Sequence, residues 1–211
     1  MSGLFITFEG TEGGGKSTQI ARLAGRLSAR DFKVRLLREP GGTPIGEEIR
    51  HTLKHSASNH AMTPEAELLL MNASRAQLVR EVIRPALAAG EVVLCDRFYD
   101  STVAYQGHGR QLDLPHVRSV IQFAVGETIP NLTLLLRVSI EVSEARRVTR
   151  GTAERDRFEE ADREFFRRVE QGYDAIARSE PRRVKVIDAS RDIEQVAGEI
   201  WREVEPLLSS R

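Results

Sequence analysis

Eight residues near the start of the chain, Gly10-Thr11-Glu12-Gly13-Gly14-Gly15-Lys16-Ser17, restrict what it can fold into more than any other stretch. They match G-x-x-x-x-G-K-[ST] at every fixed position. An apolar run, Leu4 to Phe8, precedes them, and Ile20, Leu23, Ala24 and Leu27 follow at helical spacing. A chance match in a chain of this length is on the order of 1 in 100, and the strand-before, helix-after setting lowers it further. Glycines let the backbone wrap a phosphate with its N–H groups pointing inward, a shape that a Cβ obstructs. The helix beginning near Lys16 adds the positive end of its dipole. Lys16 is expected to bridge β- and γ-phosphate oxygens, with Thr18 beside it and the Ser17 hydroxyl on magnesium. ATP and Mg2+ are the expected ligands. GTPase switches, motor ATPases and small-molecule kinases share this signature, so the remaining residues must choose among them.

Short branched apolar runs alternate with helical stretches along the chain, the pattern of a parallel sheet with crossover helices. Strands are expected at Leu4 to Phe8, Val34 to Leu37, Val92 to Cys95, Leu132 to Leu136 and Val184 to Ile187. A helix carries Ile45, Ile49 and Leu53. A longer one opens at Thr63-Pro64-Glu65, with a cap, a first-turn proline and an acid at the dipole's positive end, and runs to Val82 before a break or kink at Pro85. A last helix covers about Ile193 to Leu208, with Trp201 on its apolar side. No repeat, low-complexity tract or dividing linker interrupts this, and the 211 residues are expected to form one α/β domain.

Charge narrows the partners. Lys+Arg 31 and Asp+Glu 31 cancel, which argues against nucleic acid or anionic membrane as a bulk electrostatic partner. No apolar run reaches bilayer length and the N-terminus lacks a secretory pattern, so a soluble, cytoplasmic protein is expected. The single cysteine, Cys95, has no internal disulfide partner and fits a reducing compartment. The five histidines show no metal-ligand spacing.

The third apolar strand ends at Asp96, followed by Arg97 and Phe98. A carboxylate at the end of a central strand lies beside the phosphate loop, where it can hold magnesium or its waters. The neighbouring arginine can grip an acceptor phosphate with a bidentate fork. Together they point to a small-molecule kinase.

Phe8-Glu9-Gly10, the phosphate loop, Arg38-Glu39-Pro40-Gly41-Gly42-Thr43, Asp96-Arg97-Phe98 and Ala104-Tyr105-Gln106-Gly107 stand in the order seen in bacterial thymidylate kinases, P-loop nucleoside monophosphate kinases. The resemblance runs from Leu4 to the Ile187-Asp188-Ala189 turn. It implies a five-stranded parallel sheet with flanking helices and a mobile lid, a homodimer, and transfer from ATP to dTMP. A kinase for another monophosphate, or a nucleotide-dependent switch or ATPase, is the alternative.

By that resemblance, Glu12 takes the acceptor's 3′-hydroxyl, and Arg97 with Arg50 takes its phosphate. For Arg50, a plain exposed charge on its helix stays open. Arg75 is expected at the pyrimidine O4 and Gln106 at the N3 edge, although Arg75 could equally sit on a solvated helix face. Tyr105 crowds the sugar's 2′ position, and Ser101 and Thr102 line the same pocket. Met71 departs from the family's usual phenylalanine, yet a thioether packs well on an aromatic face. Arg146 flanks adenine opposite Asp188-Ala189-Ser190, with Ala189 against the ring. Because glycine stands at Gly13, the resemblance moves the catalytic arginine into a lid at about 150–158, with Arg157 foremost and Arg155 and Arg150 behind it. The acceptor is already anionic at neutral pH, so no general base is required.

Overall fold

The computed structural model describes residues 3–56, 59–149 and 162–209. Five strands, β1 (Leu4–Glu9), β2 (Val34–Arg38), β3 (Val92–Asp96), β4 (Leu132–Arg137) and β5 (Val184–Asp188), form one parallel sheet in the order β2-β3-β1-β4-β5. The central strand, β1, pairs with β3 on one side (Phe8 opposite Asp96) and β4 on the other (Glu9 opposite Leu135). Its carboxyl end is therefore a point where crossovers depart in both directions, the place where open α/β sheets bind ligands.

Helices cover both faces. On one, Leu4, Ile6 and Phe8 pack with Val92, Leu94 and Leu134 against α1 (Lys16–Ser28) and α9 (Ile193–Ser209). On the other, Phe5, Val93, Cys95 and Phe98 pack against α3 (Pro64–Leu78), α6 (Leu114–Val125) and α8 (Arg163–Ser179). The period-two alternation of a strand sends neighbouring β1 residues to opposite faces. Thr7 thus joins the second face, in a buried polar network: Thr7 and Thr133 hydroxyls at 2.7 Å, and Arg183 on Asp100 at 2.7 and 2.9 Å. Trp201 is buried on the inner side of α9, as its spacing indicates.

Capping chemistry sets the helix starts. Thr43 accepts from Gly46 N–H ahead of α2 (Pro44–Lys54), and Thr63 from Ala66 N–H ahead of α3. Of the break or kink expected at Pro85, the structure excludes the break. The helix is not broken there: α3 widens into a π turn at Val79–Ile83 and continues as α4 (Arg84–Ala88), with Pro85 in its first turn. A π turn just ahead of Pro85 makes room for its ring, and the missing N–H leaves one carbonyl of that turn without its helical donor. Beyond β3, α5 (Tyr99–Thr102) likewise opens into a π segment, Val103–Gly109. α7 (Ile140–Thr149) leads towards residues 150–161, so the expected lid with Arg150, Arg155 and Arg157 lies outside the described residues.

Candidate active site

The phosphate loop leaves β1 through Gly10, where an added Cβ would run into the Leu136 carbonyl. Gly13 turns at φ +78° against Ser143, a conformation costly to any residue with a Cβ. The loop closes on α1 with the buried Lys16 ammonium donating to the Gly10 and Thr11 carbonyls at 3.0 and 2.9 Å. Burial, with the Arg97 charge nearby, lowers the Lys16 pKa to about 8. The Ser17 hydroxyl donates to Asp96 Oδ2 at 3.3 Å, setting two hard oxygen ligands side by side at the end of β3. Among the described residues no group of three or more acidic, His or Cys side chains is placed to hold a metal ion by itself.

Three hollows meet at this loop. The first, about 330 Å³, is lined by Gly13 to Thr18 together with Arg38, Arg50, Asp96 and Arg97. The second is lined by Met71, Arg75, Ser101, Thr102, Tyr105 and Gln106. These two share Glu12, Glu39, Lys54 and Arg97 as a common wall. The third, about 360 Å³, lies on the other side of the loop between Thr18, Arg146, Ala189 and Val196. There Arg146 donates to the Gly13 and Ala189 carbonyls at 3.2 and 3.0 Å, bridging the loop to the turn after β5.

Arg97 stands at the centre of the common wall. Its guanidinium donates to Glu12 Oε1 at 2.6 Å, Ser101 Oγ at 3.2 Å, Tyr173 at 3.3 Å and Tyr105 at 3.4 Å. Its charge holds the Glu12 carboxyl well below the usual carboxylate range. Its backbone is left-handed, φ +70°, which costs a non-glycine residue roughly 1–3 kcal/mol and persists only when its surroundings impose it. Here Arg97 N–H donates to Phe8 O at 2.9 Å and Phe98 N–H to Glu9 Oε1 at 2.8 Å. Arg50 is partly buried beside the phosphate hollow and donates to Pro40 O at 2.9 Å.

Arg75 is not on a solvated face; it is 2% exposed and forms an ion pair with buried Glu39 at 2.7 Å. All five of its N–H groups are engaged, on Glu39, Asn72, Thr102 and the Phe98 carbonyl, so a base oxygen at Arg75 would share a donor. The longest of these, to Phe98 O at 3.2 Å, is the one most readily shared. Met71 is partly buried and forms part of the same cavity's wall.

Sequence reasoning passed over three contributors. Glu9 was noted only as part of a motif; it is fully buried and accepts from Phe98 N–H, the Ser101 hydroxyl at 2.5 Å and the Tyr173 hydroxyl at 2.9 Å. Burial and the nearby Asp100 raise its pKa to about 7. Tyr173 arrives from α8, where with Phe165, Phe166 and Val169 it reads in one dimension as an ordinary apolar helix face. Lys54 faces both hollows from the last turn of α2, a position that reads in one dimension as an ordinary helix-end cation.

Known proteins resemble this chain over nearly its whole length. The family model described as thymidylate kinase matches residues 8–200. The chain is 49% identical to a thymidylate kinase of Deinococcus radiodurans over 202 residues, 96% of each chain. It is 49% identical to that of Magnetococcus marinus over 205 residues, 97% of each. The crystal structure of thymidylate kinase from Ehrlichia chaffeensis superposes with a TM-score of 0.78 at 30% identity, covering 97% of this chain and 100% of that one.

Proposed function

The chain belongs to the thymidylate kinase family, and on that footing we propose how its residues divide the work of moving the terminal phosphoryl group of ATP onto dTMP. It is a P-loop transferase of nucleotide biosynthesis, with ATP and dTMP as small-molecule substrates. The observation that carries the assignment of roles is the common wall: a phosphate-loop hollow and an acceptor cavity joined through Glu12, Glu39, Lys54 and Arg97. Neither a kinase for another monophosphate nor a nucleotide-dependent switch is favoured by the relatives. The deciding experiment is an acceptor screen with ATP in a coupled ADP-release assay. dTMP is expected to give the highest turnover, and preference for a different monophosphate would overturn the assignment.

On the donor side, residues 10–18 cradle the β- and γ-phosphates, and Arg146 and Ala189 flank adenine. Ser17 and Asp96 would hold Mg2+; two protein oxygens plus phosphate and water suit an ion that usually keeps few protein ligands. The chemistry it would supply there is positive charge to offset that of the transferring phosphates. On the acceptor side, Arg97 and Arg50 hold the phosphate and Glu12 the 3′-hydroxyl. Arg75 and Gln106 face the base edge, Met71 packs on the ring, Tyr105 crowds the 2′ position, and Ser101 and Thr102 complete the wall. Arg157, outside the described residues, is the lid arginine of this reading.

The chemical difficulty is to bring two polyanions into line, since the nucleophilic oxygen is already anionic. Lys16, Arg97 and Arg50 place positive charge around the transferring group before it moves, which favours a transition state with spread-out negative charge. Holding the two substrates in adjoining hollows makes the encounter effectively unimolecular.

The proposal extends to assembly and setting. We read residues 1–211 as one thymidylate kinase-like unit, supported by a single sheet and a family match that spans nearly all of it. A homodimer is supported by large apolar side chains left outside on adjacent helices, Leu69 of α3 and Phe123 of α6, the latter 85% exposed. The cytoplasm is supported by a lone buried cysteine. Among the described residues no helix is long and apolar enough to cross a membrane.

A further inference from the structure

Behind the base end of the acceptor cavity lies a buried carboxylate to which the roles above give no part. Glu67, in the first turn of α3, is 0% exposed. Its Oε1 accepts from Gln106 Nε2 at 2.7 Å and from Arg110 Nε at 3.3 Å, and its Oε2 from Arg110 Nη2 at 3.1 Å. Paired with a guanidinium, a carboxylate offers acceptors alone. The Gln106 amide must therefore present its NH2 to Glu67, because the reverse orientation would set two oxygens against each other. The choice between the two ways round, which an isolated amide leaves open, is made by Glu67.

The consequence falls on the cavity. With its NH2 held, Gln106 keeps its carbonyl oxygen for the pocket it lines, and among the described residues that oxygen takes no hydrogen bond. We propose that Glu67 is a specificity-determining positioning residue: by holding the Gln106 amide it fixes an acceptor at the base edge, so that the site takes pyrimidines carrying N3–H and rejects those whose N3 is a lone pair. Thymine and uracil carry that hydrogen; cytosine does not. The inference rests on the dTMP reading and deepens it. A buried site that must leave a polar group unpaired discriminates far more sharply than one that misfits by a methyl group.

The test compares kcat/KM for dTMP, dUMP and dCMP in the full-length wild type, Glu67→Gln and Glu67→Asp. A glutamine at 67 can give its oxygen to Arg110 and its NH2 to Gln106, which lets the Gln106 amide turn over. Glu67→Gln is expected to lower the dTMP-to-dCMP ratio about tenfold to a hundredfold, with the dTMP-to-dUMP ratio unchanged. Glu67→Asp, still acceptor-only, keeps the wild-type dTMP-to-dCMP ratio even where turnover drops. Parallel losses for dTMP and dCMP in Glu67→Gln, with their ratio intact, would show a merely structural role and overturn the proposal. A wild type that takes dCMP as readily as dTMP would instead remove the substrate reading beneath it. Should the variants not fold, the Gln106 side-chain amide protons of the wild type decide by NMR. They are expected to stay hydrogen-bonded and nearly unshifted as dTMP is added; a large shift would mean that the NH2 faces the ligand, and the proposal falls.

Discussion

Glu9, at the end of β1, and Arg97, just past β3, belong to one small network. Glu9 anchors the Phe98 N–H that holds the left-handed turn, and its carboxyl titrates near 7 against an ordinary value of 4.5. A carboxyl whose folded pKa is raised binds its proton more tightly in the native state. Its contribution to stability is full below about 4.5 and is lost as pH rises through about 7. Glu9→Gln removes that dependence, so its melting temperature should improve relative to wild type between pH 5 and pH 8. Thermal melts across this range check it, and a gap independent of pH would contradict it. Lys16→Ala is expected to cut kcat about 100- to 1,000-fold with the far-UV circular dichroism unchanged, because among the described residues the ammonium hydrogen-bonds only to its own loop's carbonyls. In wild type the KM for ATP should rise as pH climbs past about 8, where the Lys16 ammonium loses its proton. At this scale the loop and Asp96-Arg97 were legible because their chemistry is local in sequence. Glu9 and Glu67 were not, because each matters through partners 89 and 39 residues away.

Among the elements, strands and capped helices were the readable part. β1 to β5 fall where the apolar runs fall, and Thr43 and Thr63 cap the helices they announce. α6 was passed over although Asp113 caps it, Pro115 stands in its first turn, and Val117, Ile121 and Ala124 line one side. The π segment Val103–Gly109 gave no signal of its own, since its widened turn is set by what packs on it. α8 closes against that segment at Gly172, where an added Cβ would lie 3.0 Å from Ala104 Cα and 2.9 Å from the His108 ring. Gly172→Ala is expected to cost about 1–3 kcal/mol by overpacking, read as a lower denaturant midpoint. The KM for dTMP should rise with it, because Tyr105 and Gln106 ride on the displaced segment.

For the whole molecule, the alternation of short strands and helices announced the sheet, while its order and the meeting of three hollows at one loop came only with the third dimension. Arg80 and Arg84 illustrate what a linear reading misses: they reach across to the Ala124 and Val125 carbonyls and lock α3 and α4 to the end of α6. The outer face of that pair carries the dimer prediction. Phe123→Lys should shift the protein from dimer to monomer in light scattering at micromolar concentration, and a dimer of unchanged strength would place the contact elsewhere.

Because Glu12, Glu39, Lys54 and Arg97 belong to both hollows, a ligand in either one would meet side chains that also line the other. Thermodynamic reciprocity then ties the two together. Whatever factor dTMP imposes on the equilibrium affinity for the nucleotide, the nucleotide must return to dTMP in equal measure. Titrating one ligand in the presence of the other thus measures a single coupling energy, and a substitution in that shared rim alters it for both at once.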